Sequence, residues 1–233
     1  MKSFIHTMVL FLSVVGLTTA GAQAAIMSVT AGGTSFHIPV KSVKESRFQD
    51  VIRQRYDFSC GSAALATLLK YHYNRSLRED EVLQAMYKVG NQEKIRKQGF
   101  SLLDMKKYLT SIGLRSDGFR ISLDKLAEVG IPAVVLINNL GYMHFVVIKG
   151  VTPTYVLVGD PALGKRIIDR KDFEPMWNGI IFAIRDQQDV ARVTFNQDAD
   201  WKIHEKAALS VALSSQSLAS FTSNISITPH YYR

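Results

Sequence analysis

The sequence predicts an α+β domain in which an N-terminal helical layer packs on a C-terminal antiparallel sheet. Three observations predict it. Residues 60 to 73 (CGSAALATLLKYHY) are rich in Ala and Leu, the composition of a buried helix. Between residues 132 and 184 the runs PAVVLI, HFVVI, YVLV and GIIFAI are apolar, largely β-branched, and bounded by Gly, Pro, Asn and Asp. The helices come first and the strands after, so the layers segregate instead of alternating.

In chain order, the first segment stands apart. Lys2 supplies a positive charge, Met8 to Leu17 forms an apolar run, and Ala22-Gln23-Ala24 offers a small-residue cleavage site. This is the pattern of a secretory signal peptide over residues 1–24. The run of about ten apolar residues is too short to span a bilayer, which takes about 20. Residues 25–45 read as an N-terminal arm, with a loop at Gly32-Gly33 and a short edge strand at Phe36 to Val40, since that run contains Pro39. The main domain is expected over residues 46–186.

Inside it, the helix from Cys60 stops near Asn74. A second helix is expected from residue 78 to 88, with Leu83, Met86 and Tyr87 at helical spacing. Gly99 closes a basic loop. Ser101, with Asp104 three residues on, reads as the cap of a third helix running to about Ile112, and Gly113 ends it. A strand at Leu114 to Arg120 and a short helix from Ser122 to Glu128 precede the sheet strands. Residues 187–233 are polar and Ser-rich; 201 to 220 fit either an amphipathic helix or a loose segment.

Composition narrows the functional classes. Hydrophobic residues make up 47% and charged residues 21% of the 233, which is globular and not disordered. The net charge of +8 becomes +7 on loss of Lys2, and the basic residues are scattered instead of forming a nucleic-acid-binding block. Gly159-Asp160-Pro161-Ala162-Leu163-Gly164-Lys165 imitates a phosphate-binding loop, but Arg166 stands where a Mg²⁺-holding Ser or Thr belongs, and RIIDR continues as strand. No nucleotide, nucleic acid, cofactor or metal is expected.

The cysteine carries the chemical argument. There is one, Cys60, in a chain with an export signal, so no intramolecular disulfide can form. A thiol attacks as its thiolate, and a helix N-terminus or a neighbouring imidazolium promotes that form. Cys60 stands at the predicted start of a helix. A base must lie within hydrogen-bond reach. His72 is twelve residues along the same helix, about 18 Å away at ~1.5 Å per residue, and cannot serve. His6 lies in the signal, and His37, His204 and His230 lie in arm and tail. His144 begins an apolar strand, a rigid platform.

A third group should orient the ring. Gly150 to Pro153 reads as a hairpin turn; a hairpin symmetric about Thr152 sets His144 directly opposite Asp160. A one-residue slip would turn Asp160 to the other face. For the oxyanion, the backbone N–H of Cys60 and the side-chain amide of Gln54 are the candidate donors.

Together, Gln54 to Leu65 (QRYDFSCGSAAL), Met143 to Val147 (MHFVV) and Gly159 to Gly164 (GDPALG) resemble cysteine-peptidase family 39, the bacteriocin-processing, double-glycine leader peptidases. The resemblance covers about residues 48 to 185. It implies a papain-like fold and a catalytic set of Cys60, His144 and Asp160, with Gln54 completing the oxyanion hole. Family members often carry Asp before the cysteine, where this chain has Ser59. They are usually fused to an ABC transporter, for which this chain is too short. It is more similar to a stand-alone exported member from functional-amyloid secretion. That likeness implies a periplasmic location and a role in export or processing of amyloid and biofilm subunits.

The expected function is hydrolysis of a peptide bond in an exported protein or leader segment. The alternative is a non-hydrolytic module whose cleft binds an unfolded secretion substrate by strand addition and escorts it to an outer-membrane secretion pore. A third reading is acyl transfer of the transglutaminase type.

Overall fold

A computed structural model describes residues 25–31, 34–40 and 43–202. The signal segment, His204, His230 and most of the 201–220 segment lie outside the described residues. The chain forms two compact units that divide after Lys41. In the first, strands β1 (Ala25–Ala31) and β2 (Thr34–Val40) pair antiparallel as a hairpin, with His37 opposite Ser28.

The second unit has the expected layers. Its helical part holds α1 (Val43–Arg47), α2 (Cys60–His72), α3 (Glu79–Val89), α4 (Gln92–Gln98) and α5 (Leu102–Ser111). β3 (Ser116–Arg120) and α6 (Leu123–Val129) follow. Next come β4 (Ala133–Asn139), β5 (Tyr142–Val151), β6 (Tyr155–Asp160) and β7 (Gly164–Asp169). α7 (Arg170–Phe173) and a 3₁₀ turn lead to β8 (Trp177–Ile184), α8 (Gln188–Arg192) and α9 (Asp198–Trp201). The strands make one six-stranded sheet in the order β3-β8-β4-β5-β6-β7, antiparallel at every pairing. This is the α+β arrangement of helical layer and antiparallel sheet that the sequence predicts.

α2 is the axis of the helical layer. Ala64, Leu65, Leu68 and Leu69 join Met86, Met105, Leu109, Phe145, Val147 and Phe182 in one core. Val146, Ile148, Val156 and Val158, on the other face of the sheet, join Leu126, Phe173 and Ile181 in a second. Burial on both faces explains why the central strands read as continuous apolar runs. Gly61 lets the layers meet at the start of α2: a Cβ there would lie 2.9 Å from Cβ of Phe100 and 3.3 Å from the Phe145 ring. Ser101 and Asp104 make the expected reciprocal cap of α5, Ser101 N–H donating to Asp104 at 2.9 Å and Asp104 N–H to the Ser101 hydroxyl at 3.2 Å.

Two expectations need correction. The segment before Gly99 is not a loop but α4, capped by the Asn91 side chain, which accepts from Lys94 N–H at 3.0 Å. Gly99, at φ +77°, ends it. Basic composition concealed a helix that buries only Ile95.

The second correction concerns the hairpin. Its turn lies at Pro153-Thr154, with Thr152 N–H donating to Tyr155 O at 2.8 Å, and is not centred on Thr152. Near the turn, Val151 faces Val156 and Gly150 faces Leu157. The register then shifts by one at Lys149, a β-bulge, so that Ile148 faces Val158 and Val147 faces Gly159. Continued, that register puts Asp160 opposite Val146, not opposite His144. The error of two residues preserves the face, so Asp160 is a diagonal neighbour of His144.

Residues beyond Asp186 also fold onto the domain. Ala191 and Phe195 are buried in its two cores, and Thr194 bonds His72.

Candidate active site

The site is built at the N-terminal end of α2. Ser59 occupies the cap position but does not cap: its hydroxyl donates to Tyr56 O at 3.0 Å and accepts from Tyr56 N–H at 3.1 Å. The first turn of α2 contains no acidic residue. The N–H groups of the opening turn therefore keep their positive character, with no acidic side chain in the turn itself to offset it. Cys60 stands on that turn, 7% exposed.

The loop that leads to it is tied from three directions. Ile52 N–H donates to Thr67 Oγ1 on α2 at 2.9 Å. Gln54 N–H donates to Pro161 O at 2.9 Å, which joins this loop to the residue after Asp160. Arg55 Nε lies 3.5 Å from buried Glu79 of α3. Burial raises the pKa of Glu79, a shift that Arg55 and the Ser59 hydroxyl oppose.

Across from Cys60, β5 supplies His144, 5% exposed. Its Nε2–H donates to Asp160 Oδ1 at 2.8 Å. That same oxygen accepts from the N–H groups of Ala162 at 2.8 Å and Leu163 at 3.2 Å, across the tight turn between β6 and β7. Arg166 lies 3.7 Å from Oδ2. Burial works against ionisation of Asp160, but the ring and the backbone donors overcome it and hold the carboxyl below its ordinary pKa. Gly164 closes the turn at φ +81°, where a Cβ would lie 2.7 Å from Cβ of Arg47.

The other ring nitrogen, Nδ1, is buried and makes no hydrogen bond of ordinary geometry. With Nε2 committed to Asp160, Nδ1 is the atom left for the thiol. Cys60 is close enough to act on the ring: burial pulls the pKa of His144 down, and Asp160 and Cys60 together reverse this and lift it to about 9. The carboxylate bonded to Nε2 and the nearby thiol both favour the protonated ring.

Gln54, the remaining candidate, is half-buried and donates from Nε2 to Tyr56 O at 3.2 Å, while its Oε1 is buried without a partner. It lies on the same tied loop as Cys60, and one amide hydrogen remains beyond that bond.

Tyr142 was not anticipated. Its ring stacks on His144 with centroids 5.8 Å apart, and its hydroxyl donates to Asp57 O at 3.3 Å, so it reaches from β5 to the loop before Cys60. Its position two residues before a strand histidine, hence on the same face, was the available signal. Lys149 was missed as well. Only 1% exposed, it bonds Asp50 at 2.7 Å and Asp200 at 3.0 Å, and Lys165 bonds the same two carboxylates at 2.9 and 2.8 Å.

Comparison with known proteins bears on the family and the fold. The model of the peptidase C39 family matches residues 49–189. A curated protein of Pseudomonas fluorescens, described as a probable functional amyloid protease FapD, is 44% identical over 76% of this chain and 78% of its own length. The Pseudomonas aeruginosa protein of the same description is 44% identical over 74% of this chain and 76% of its own. Among solved structures, the peptidase domain of Streptococcus ComA, a bifunctional ABC transporter, aligns with a TM-score of 0.50 at 19% identity, over 58% of this chain and 96% of that one.

Proposed function

The chain belongs to the peptidase C39 family, and on that premise we propose that it is an exported cysteine endopeptidase, acting in the periplasm on a secreted amyloid or biofilm subunit or its leader. The carrying observation is the hydrogen bond between His144 and Asp160 beside the uncapped start of α2.

The chemistry follows from that arrangement. Cys60 attacks the scissile carbonyl as thiolate. The developing oxyanion takes hydrogen bonds from the Cys60 N–H and from the Gln54 amide hydrogen that its bond to Tyr56 O leaves free. His144, protonated on both nitrogens, gives the Nδ1 proton to the leaving amine and keeps Nε2–H on Asp160. The neutral ring then takes a proton from water as that water attacks the thioester, and the acid product leaves. Asp160 stays ionised throughout, because its burial is offset by three donors on one oxygen.

The likeness to the two FapD proteins supports the amyloid substrate, and the export signal in residues 1–24 supports the location. Hand-over to an outer-membrane pore is the further partnership this reading carries. The test is incubation of the mature protein with the secreted amyloid subunit from its own genomic neighbourhood, read by mass spectrometry. Wild type yields new termini and Cys60→Ala yields none. Equal cleavage by both proteins would sink the proposal, and labelled but uncleaved substrate complexes with both would favour the binding module.

A further inference from the structure

The alternation of side chains along β5 does not by itself bring Asp160 to His144. Out of the Pro153-Thr154 turn, the register pairs Val151 with Val156 and Gly150 with Leu157. Extended unchanged, it would place Asp160 opposite Val147, facing away from His144. The extra residue at Lys149 reverses that parity, and beyond it Val147 meets Gly159. The bond between His144 and Asp160 exists because this bulge exists.

A bulge leaves ladder groups unpaired, and here β4 gives no help, since its pairing with β5 ends at Ala133 opposite Ile148. Asn196 takes over where β4 stops. Its backbone N–H donates to Lys149 O at 3.0 Å. Its side-chain Oδ1 accepts from Val151 N–H at 2.8 Å and its Nδ2 donates to Val151 O at 3.0 Å. The amide thus copies a strand residue across the bulge, from 45 positions away in sequence. Its left-handed backbone, φ +56°, is one that Asn tolerates. Gly150 is the matching half: a Cβ there would collide with Asn196 Oδ1 and sit 3.0 Å from the Trp201 ring. The bulged residue is gripped at its other end too, where Lys149 Nζ bonds Asp50 and Asp200. Asn196 and Asp200 both lie beyond residue 189, where the family match ends.

We infer that Asn196 is a positioning residue for His144, clamping the bulge that turns Asp160 onto the face of the imidazole. The inference rests on reading His144 as the base, but it can be judged separately. Asn196→Gly keeps the left-handed backbone and removes only the side-chain clamp. Gly150→Ala displaces the clamp from the opposite side. Asn196→Asp keeps the acceptor for Val151 N–H and loses the donor.

The experiment follows the His144 ring by NMR across pH in the full mature chain, alongside the pH profile of Cys60 alkylation by iodoacetamide. Thermal melts establish that each variant is folded. The expected result is that Asn196→Gly and Gly150→Ala move His144 from about 9 towards the ordinary value of about 6.5, with Asn196→Asp between. Their alkylation profiles superimpose on that of Asp160→Asn, and the Asn196→Gly/Asp160→Asn double variant matches Asp160→Asn alone. A His144 titration at the wild-type value in any folded clamp variant overturns the inference, as does an additive double variant. Cleavage by Cys60→Ala would instead sink the peptidase reading and leave the NMR result to judge the clamp.

Discussion

Helix α2 carries a buried histidine environment at each end, and the two ends behave oppositely. At the N-terminal end His144, from β5, is 5% exposed; at the C-terminal end His72 is 1% exposed. Burial disfavours the charged ring in both. His72 meets only the Thr194 hydroxyl, at 2.6 Å from Nδ1, while its Nε2 is without a partner, and burial together with the charge of Lys149 lowers its pKa to about 3. His144 meets a carboxylate and a thiol and rises to about 9. Burial makes a histidine sensitive to its neighbours, and the partner decides which way it moves. One end of the helix is thereby a proton-holding site and the other an inert plug.

The comparison breaks hardest at Asp160. Asp160→Asn removes the carboxylate but keeps the shape, so His144 should fall to about 6.5 or below and kcat should drop by about a hundredfold or more. NMR titration and a cleavage assay check the two halves. An unchanged ring pKa would mean that Cys60 alone holds the proton.

The converse swap puts a carboxylate on the inert histidine. Thr194→Asp, at the atom that now bonds Nδ1, should raise the pKa of His72 by about two units. A ring that stays near 3 would show that Lys149 and burial outweigh any partner there.

The two histidines also leave opposite marks on stability. His144, with its raised pKa, contributes stability that is fully present below about pH 6.5 and is lost as pH rises through about 9. His72 is buried neutral, so stability is lost as pH falls from about 6.5 towards about 3, at no more than about 1.4 kcal/mol per pH unit. Urea unfolding of wild type and His72→Gln between these pH values should show a steeper acid loss in wild type, the remainder in both coming from carboxylates such as Asp160 that are held below their ordinary pKa. The smallest effect belongs to Tyr142→Phe, which keeps the ring stacked on His144 and removes one long hydrogen bond to Asp57. It should cost less than about 1 kcal/mol in stability and change kcat by no more than about fivefold.

Much of this arrangement was legible where it is local. The start of α2 at Cys60, the Ser101–Asp104 cap and the apolar strands are set by residues within one or two turns of each other. His72 could be set aside as the partner of Cys60 because a helix has a fixed rise. α4 was missed because a short polar helix with one buried side chain has almost no periodic signal. The salt-bridge cluster of Lys149, Lys165, Asp50 and Asp200 was missed because its members are spread over the whole domain and each alone resembles a surface charge.

Composition, capping and strand periodicity act over a few neighbouring residues, and they fixed the layers and their order. The tertiary structure alone decided whether Asp160 faces His144. Strand alternation has a period of two, so a single inserted residue inverts it, and the residue that holds that insertion in place, Asn196, bonds Val151 beside the bulge from 45 positions away.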